Sequence, residues 1–307
     1  MNGLAFAGGS PQASAIRLER RIRSYGAPHA VVAVSGGVDS SVVLALAARA
    51  LGAAAVTAVT ALSPSYPAGE LEDARSCARY LGVAHETMIT HEVEMERYAQ
   101  NGPLRCFFCK AELYSSLHSL ARHFAGAARV VLAGANFDDT GDFRPGLLAA
   151  RRYGVRNPLL EEGVGKASVR ALARYLQLPA PEKPALACLS SRVDYGIRIT
   201  PELLARIDQA EQLVKARGFQ SVRVRHFGNL ATIEVPREDL QRLAADPQLP
   251  QLLADLRRLG WRQVVLDPAG LRSGRMNATL QLKPSLQRSI DRLRDPSADS
   301  PASRPLS

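Results

Sequence analysis

Short apolar strands that alternate with helices constrain the fold of this chain more than any other feature of its sequence. Residues 30–52, AVVAVSGGVDSSVVLALAARALG, run from an apolar segment through a glycine turn into a helix rich in Ala, Leu and Val. The same order recurs, with strands predicted at residues 53–62 and 129–136 and helices at 68–83 and 110–126. Such alternation is typical of a parallel sheet with helices on both faces. The sequence therefore predicts an α/β protein with an N-terminal doubly wound parallel sheet.

The second part of the chain follows a different pattern. Prolines cluster at residues 179–184, and we place a domain boundary near residue 195. Beyond it, residues 221–235 alternate with period two around a Phe-Gly-Asn turn, which predicts an antiparallel hairpin. Helices are predicted on either side of this hairpin, at 200–219 and 236–258. The predicted organisation is an α/β domain at 1–195, a smaller C-terminal α+β domain at 196–287 and a disordered Ser- and Pro-rich tail at 288–307.

Charge and composition restrict the partners and the compartment. The 307 residues include 39 Lys and Arg against 29 Asp and Glu, a formal net charge of +10. This excess favours anionic partners such as nucleotides, phosphates or RNA. No apolar run reaches the roughly 18 residues of a membrane span, and the N-terminus lacks the pattern of a signal peptide. We therefore expect a cytoplasmic protein with reduced cysteines and no membrane contact.

The most informative local motif is the glycine turn after the first predicted strand, AVSGGVDSS at residues 33–41. Glycines let the backbone approach an anion closely, while helix N–H groups and serine hydroxyls donate hydrogen bonds. The turn contains no lysine, and it matches neither the Walker A sequence nor G-x-G-x-x-G. We predict a phosphate site formed by Ser35, Gly36, Gly37, Ser40 and Ser41.

The S-G-G-x-D-S motif after a strand resembles the pyrophosphate loop (PP-loop) of the ATP pyrophosphatase superfamily, which has an adenine nucleotide α-hydrolase-like fold. The resemblance implies that the loop holds the β- and γ-phosphates of ATP and that Asp39 helps to hold Mg²⁺. It also implies that a substrate attacks the α-phosphate, so that AMP is transferred and pyrophosphate leaves. Asp39 is therefore expected to be both a catalytic residue and a magnesium ligand.

Further segments resemble one branch of this superfamily, the LarE family of ATP-dependent sulfur transferases. They lie in the family's order along nearly the whole chain, at residues 59–74, 105–114, 134–146, 157–173, 183–196 and 266–277. The resemblance implies adenylation of a pyridinium dicarboxylate mononucleotide and its conversion to a thiocarboxylate, during biosynthesis of the nickel-pincer nucleotide cofactor. It also implies that Cys188 is the catalytic cysteine, which in the best-known form of the family gives up its own sulfur. Arg192 follows closely and is expected to lower the pKa of the Cys188 thiol and to hold the substrate phosphate.

Three of the four cysteines are candidates for a metal centre. Cys106 and Cys109 form a C-x-x-C pair, and Cys188 adds a third thiolate. Three thiolates would leave one iron of a [4Fe–4S] cluster without a protein ligand, so that it could carry sulfide. We therefore favour a cluster held by these three cysteines, with sulfur drawn from the cluster, while a redox dithiol and a zinc site stay open. Cys77, inside a predicted helix, is interpreted as a core residue.

Other polar residues are weaker candidates. By the resemblance, the acidic turn after the strand at 129–136 lines the nucleotide or substrate site, where α/β sheets bind ligands. The residues expected there are Asp138, Asp139, Asp142 and Arg144, with Lys166 at a helix start reaching a phosphate. Arg223 and Arg225 share one face of the predicted hairpin, close in sequence to Glu211 and Glu234. An anion site, a subunit interface and an exposed charged surface are all compatible with these arginines.

Two alternative functions stay open at this point, a PP-loop tRNA thiolase and a non-catalytic ATP-binding redox sensor. The net positive charge suits a tRNA thiolase, but aromatic residues make up only 6% of the chain and no basic-aromatic stretch is evident. A nucleic-acid partner is therefore the weaker expectation. We expect a small-molecule nucleotide substrate, an unknown sulfur donor and, by the resemblance, a homo-oligomer.

Overall fold

The computed structural model describes residues 9–123, 129–141, 143–184 and 187–272, together with Ile290 and Leu293. Asp142 and, apart from those two residues, the predicted tail at 288–307 lie outside the described residues. Within the described ranges, no helix has both the length and the apolar character needed to cross a lipid bilayer.

Four parallel strands form the first sheet, which confirms the predicted parallel sheet. They are β1 (His29–Ala33), β2 (Val56–Leu62), β3 (Ala84–Ile89) and β4 (Arg129–Leu132). The spatial order is β3-β2-β1-β4, and Ala30 of β1 lies between Val56 of β2 and Val130 of β4. β3 was not predicted, because this edge strand is mostly exposed and lacks a regular apolar pattern.

Helices cover both faces of this sheet. The helices of this part of the chain are α1 (Pro11–Arg23), α2 (Val38–Leu51), α3 (Glu70–Tyr80), α4 (Glu96–Ala99), α5 (Arg105–His123), α6 (Pro145–Arg152), α7 (Pro158–Glu161) and α8 (Lys166–Tyr175). Alternate residues of β1 pack in different apolar cores, Val32 with Leu44 of α2 and Val31 with Leu117 of α5. Two cores on opposite faces of one parallel sheet confirm the predicted doubly wound arrangement.

A second sheet of three strands follows in the C-terminal part. Its elements are α9 (Pro201–Lys215), β5 (Arg223–Phe227), β6 (Leu230–Glu234), α10 (Leu240–Ala244), α11 (Leu249–Arg258) and β7 (Gln263–Leu266). The hairpin of β5 and β6 is antiparallel, as predicted, whereas β7 pairs with β6 in parallel, so that the sheet is mixed. The C-terminal core also contains Leu189 and Val193, which precede the predicted boundary near residue 195. That boundary stays a prediction.

The single helix predicted at 236–258 is wrong, because the chain breaks between α10 and α11. Pro247 has no backbone N–H for a helical hydrogen bond, and Asp246 accepts from the Gln248 N–H at 2.8 Å in a local turn. Pro250 then occupies the first turn of α11, where the missing N–H costs nothing.

Candidate active site

The predicted phosphate residues lie together where β1 leads into α2. Gly36 has a left-handed φ of +77°, and a Cβ there would be 2.5 Å from the Glu70 carbonyl oxygen, so that only glycine fits. The Ser40 and Ser41 hydroxyls donate to the Gly37 carbonyl at 2.9 and 3.1 Å. Gly37 is the N-cap residue of α2, and no side chain there accepts hydrogen bonds from the first helical turn. N–H groups of that turn are therefore available to bind an anion. This geometry suits phosphate, and phosphate binding stays a prediction.

Asp39, in the first turn of α2, lies among charged groups from two other segments. Burial raises the pKa of the Asp39 carboxyl, Lys166 counters that rise, and Asp139 adds to it. The structure therefore brings three of the predicted site residues together at this end of the sheet. Neighbouring carboxylates that repel each other favour a bound cation, and Mg²⁺ prefers such oxygen ligands.

The acidic turn after β4 is held in place by its own hydrogen bonds. Asp138 accepts from the Lys166 N–H at 2.8 Å and so caps α8. Asp139 accepts from the Asn136 N–H at 3.0 Å and pairs with Arg144 at 3.2 Å. These contacts place the turn beside Asp39, while ligand binding by Asp138 and Arg144 stays a prediction.

Two residues at the phosphate loop were not found by the sequence analysis. The Tyr66 hydroxyl donates to the Ser35 carbonyl at 3.2 Å. The Lys183 ammonium donates to the Gly36 carbonyl at 3.1 Å and to the Glu70 carboxylate at 2.9 Å. Both residues lie in segments that resemble the LarE family, at 59–74 and 183–196, but no local pattern shows that they contact the loop, because they reach it from distant parts of the chain.

Cys106 and Cys109 lie in the first turn of α5, where a spacing of three residues puts them on one side of the helix. Cys188 immediately precedes a short 3₁₀ turn at Leu189–Arg192. Burial raises the pKa of the Cys109 thiol to about 12, and the charges of Cys188 and Cys106 contribute to the rise. The three thiols therefore share one neighbourhood. Cys77 is a core residue, as predicted, with 3% of its surface exposed.

Two cations accompany these thiols. Arg105 is buried, donates to the Ser190 carbonyl at 2.8 Å and lies 4.0 Å from the Cys106 sulfur. Burial alone would lower the pKa of the Lys110 ammonium, but Cys109 and other nearby acidic groups raise it above its usual range. Among the described residues, no group of three or more His, Cys, Asp or Glu side chains is arranged to hold a single metal ion. That the thiols hold a cluster stays a prediction.

Glu92 adds a buried carboxylate close to the thiols. Its surface is 2% exposed, and its Oε1 accepts from the Ser63 and Ser65 hydroxyls at 2.5 and 2.8 Å. The Ser65 carbonyl in turn accepts from the Leu189 N–H at 2.9 Å. Glu92 therefore supports the backbone next to Cys188. Glu92 was not predicted as a site residue, because nothing near it in the sequence resembles a site.

Two of the arginines predicted to bind anions are paired with buried carboxylates. Arg192 is fully buried, and it donates to Glu211 at 2.8 Å and to the Cys188 carbonyl at 3.2 Å. Arg225 is 2% exposed and donates to Glu234 at 2.7 Å. An exposed charged surface is therefore the wrong interpretation for Arg225, because its carboxylate partner allows burial. The predicted effects of Arg192 on the Cys188 thiol and on a substrate phosphate stay predictions.

Arg223 lies beside these two ion pairs. Burial, Arg192 and Arg225 lower the pKa of Arg223 to about 10, while Glu234 and Glu211 act in the opposite direction. Three guanidinium groups thus share two carboxylates. The excess of positive charge in a partly buried group favours a bound anion.

The chain matches one family model and is similar to several known proteins. Residues 12–103 match the family model described as NAD synthase. An uncharacterized protein from Synechocystis sp. is 43% identical over 251 residues, which cover 82% of this chain and 92% of that protein. The pyridinium-3,5-bisthiocarboxylic acid mononucleotide synthase of Lactiplantibacillus plantarum is 37% identical over 249 residues, which cover 81% of this chain and 89% of the synthase. A glutamine-dependent NAD(+) synthetase from Rhodobacter capsulatus is 38% identical over 93 residues, which cover 30% of this chain and 16% of the synthetase.

The parallel sheet, the glycine turn and the NAD synthase match define an ATP-binding domain of the PP-loop class. Within that class the chain belongs to the LarE family, since it is similar to the L. plantarum synthase over 89% of that protein's length. The paired cysteines, Cys188 and the buried arginines all lie outside residues 12–103, the part that is shared with NAD synthases.

The Arg192–Glu211 pair gives a prediction about stability. Arg192→Met should lower the free energy of unfolding by about 3–5 kcal/mol, because it leaves the Glu211 carboxylate buried without its partner. Urea denaturation followed by circular dichroism measures this. The matched control is Arg198→Met, which breaks an ion pair whose side chains are 57% and 59% exposed and should cost less than about 1 kcal/mol. Equal losses in the two variants would contradict the prediction.

Proposed function

We propose that this protein is an ATP-dependent sulfur transferase that converts a carboxylate of a pyridinium dicarboxylate mononucleotide to a thiocarboxylate for the nickel-pincer nucleotide cofactor. The name of the L. plantarum relative describes a product of this kind. A carboxylate is a poor electrophile until it carries a leaving group. Its oxygen therefore first bonds to the α-phosphorus of ATP, while the bond to the β-phosphate breaks and pyrophosphate leaves. A sulfur nucleophile then attacks the acyl carbon, and AMP leaves with one of the carboxylate oxygens.

The observation that carries this proposal is the contact between the phosphate loop, residues 33–41, and the segment that contains Cys188. Two consecutive residues join them, since Tyr66 donates to the Ser35 carbonyl at 3.2 Å and Ser65 accepts from the Leu189 N–H at 2.9 Å. Leu189 directly follows Cys188. The proposed activation and sulfur-transfer steps would thus take place in two directly connected parts of the same protein. The reactive acyl adenylate would therefore not have to leave the protein between the two steps.

The residues around the phosphate loop fit the first of these steps. N–H groups at the start of α2 would bind the β- and γ-phosphates. Asp39 and Asp139 would hold Mg²⁺, which when bound would neutralise charge on the departing pyrophosphate. Lys166, whose charge acts on Asp39, would add a further cation near the phosphates.

The three thiols fit a [4Fe–4S] cluster in their chemistry. Thiolates are its usual ligands, and with three of them a bound cluster would offer one iron that could carry sulfide. The charges of the neighbouring groups support this assignment. Arg105 and Lys110 offset two of the four negative charges that three thiolates and Glu92 would bring. The doubly positive core of an oxidised cluster would cancel the remaining two.

The phosphate of the mononucleotide fits the arginine group. Arg223 supplies the excess charge, and Arg192 and Arg225 flank it. Arg225 also donates to the Ser191 carbonyl at 3.0 Å, three residues from Cys188. A phosphate bound to these arginines would therefore place the mononucleotide next to the thiols.

The adenylation step has a direct test. ATP, Mg²⁺ and pyridinium-3,5-dicarboxylic acid mononucleotide should together release pyrophosphate, which an enzyme-coupled assay measures. Asp39→Asn should slow this release by about 10- to 100-fold, because it removes a proposed metal ligand. Asp255→Asn, which affects a pair on α11, should leave the rate unchanged. Absence of pyrophosphate from the wild type would contradict adenylation, and release that requires tRNA would favour the thiolase alternative.

The metal centre has its own test. Protein purified without oxygen should be brown, absorb near about 400 nm and contain about four iron atoms per chain. Cys106→Ala should lose most of this iron because only two thiolate ligands remain, whereas Cys77→Ala, in the apolar core, should retain it. Iron analysis and absorption spectroscopy measure both. A colourless wild type with one zinc ion would contradict the cluster.

The source of the sulfur can be read from the mass of the chain. If sulfur comes from the cluster, intact-protein mass spectrometry after several turnovers should give the starting mass. If Cys188 gives up its own sulfur, the mass should fall by the elements of hydrogen sulfide and peptide mapping should place the loss at Cys188. The second result would contradict the proposed route and leave the adenylation step intact.

A further inference from the structure

A lysine from a distant segment lies against the phosphate loop. The ammonium group of Lys183 contacts three acceptors, the Gly36 carbonyl at 3.1 Å, the Glu70 carboxylate at 2.9 Å and the Asp73 carboxylate. Its side chain is 14% exposed, and that of Glu70 is 8% exposed. An ammonium group has three N–H donors, so that these contacts use all of them.

The acceptors around Lys183 would repel one another without it. Glu70 and Asp73 lie in the first turn of α3, and the Gly36 carbonyl belongs to the phosphate loop. The backbone of α3 also approaches closely, since a Cβ on Gly36 would be 2.5 Å from the Glu70 carbonyl oxygen. The ammonium group therefore holds the loop against α3. Because both groups are largely buried, its attraction to the Glu70 carboxylate is stronger than it would be in water.

Holding the Gly36 carbonyl also sets the direction of an N–H group. The carbonyl of Gly36 and the N–H of Gly37 belong to one planar trans peptide unit, so that they point to opposite sides. With the carbonyl turned to Lys183, the Gly37 N–H faces away from it. Among the described residues no acceptor takes this N–H, which precedes the first turn of α2. A glycine pair has little intrinsic preference for either orientation of this peptide.

We propose that Lys183 is a positioning residue of the ATP site, which orients the Gly36–Gly37 peptide so that the Gly37 N–H is ready to bind a phosphate. This inference rests on the ATP site that is proposed above. Lys183 gives the phosphate loop, which contains no cation of its own, a charged partner from 147 residues further along the chain. The loop is then arranged before ATP arrives, and binding does not have to provide that order.

The test compares ligands that differ in their phosphates. Lys183→Met should weaken binding of ATP and of inorganic pyrophosphate by about tenfold, the effect of losing one well-placed hydrogen bond to a charged group. Binding of AMP should change by less than about twofold, because by the family resemblance the loop holds the β- and γ-phosphates. Isothermal titration calorimetry with each ligand measures these affinities. Lys183→Arg keeps the charge and should recover part of the loss.

Two further variants separate this effect from a general loss of structure. Lys183→Met combined with Glu70→Gln removes the unpaired buried carboxylate, so that the protein should fold while ATP binding stays weak. Arg174→Met breaks the exposed pair with Glu182, the neighbour of Lys183, and should bind ATP like the wild type. Wild-type affinity for ATP in the double variant, or an equal loss of AMP and ATP, would overturn the inference. A wild type that binds neither ATP nor pyrophosphate would overturn the proposed function as well.

Discussion

Close approaches at three glycines hold the proposed ATP site together. A Cβ would lie 2.5 Å from the Glu70 carbonyl oxygen at Gly36, 2.8 Å from the Ser40 nitrogen at Gly134 and 2.7 Å from an Asp138 carboxylate oxygen at Gly165. A side chain at Gly36 would push the phosphate loop away from α3, and one at Gly134 would push it away from the loop after β4. A side chain at Gly165 would displace the Asp138 carboxylate that accepts from the first N–H of α8. The contacts that place Asp39 beside Asp139 and Lys166 depend on this tight packing.

Buried charge connects the C-terminal core to the cysteine segment. Arg192 and Arg225 are nearly inaccessible to solvent, and each needs a carboxylate partner because an isolated buried guanidinium would be costly. Both also donate to backbone carbonyls beside the third thiol, those of Cys188 and Ser191. The same side chains that balance charge in the second core thus position the segment that carries the thiol. The two ion pairs thus have a structural role within the apolar C-terminal core, because their arginines also hold the backbone next to Cys188.

The phosphate loop and the grouping of the three thiols were predictable from the sequence, but the long-range contacts that support them were not. The phosphate loop is contiguous, so that its glycines and serines could be recognised together and the structure places them at one helix start. Lys183, Tyr66 and Glu92 reach their partners across 147, 31 and 29 residues, and no local pattern shows these contacts. The edge strand β3 was missed because exposure removes the apolar alternation that identifies a strand.

The surroundings of Cys109 favour the proposed cluster over a redox dithiol. A redox dithiol reacts as the thiolate, and reactive thiols reach pKa values of about 3.5–7.5 through nearby positive charge and solvent access. Burial instead raises the pKa of Cys109 to about 12, and the Glu92 carboxylate adds to the rise. The charge of Lys110 acts in the opposite direction but does not cancel this rise, so that a free thiolate is disfavoured at Cys109. In the proposed cluster, metal coordination would deprotonate the thiol, and the positive charges of Arg105 and Lys110 would stabilise the thiolates that result.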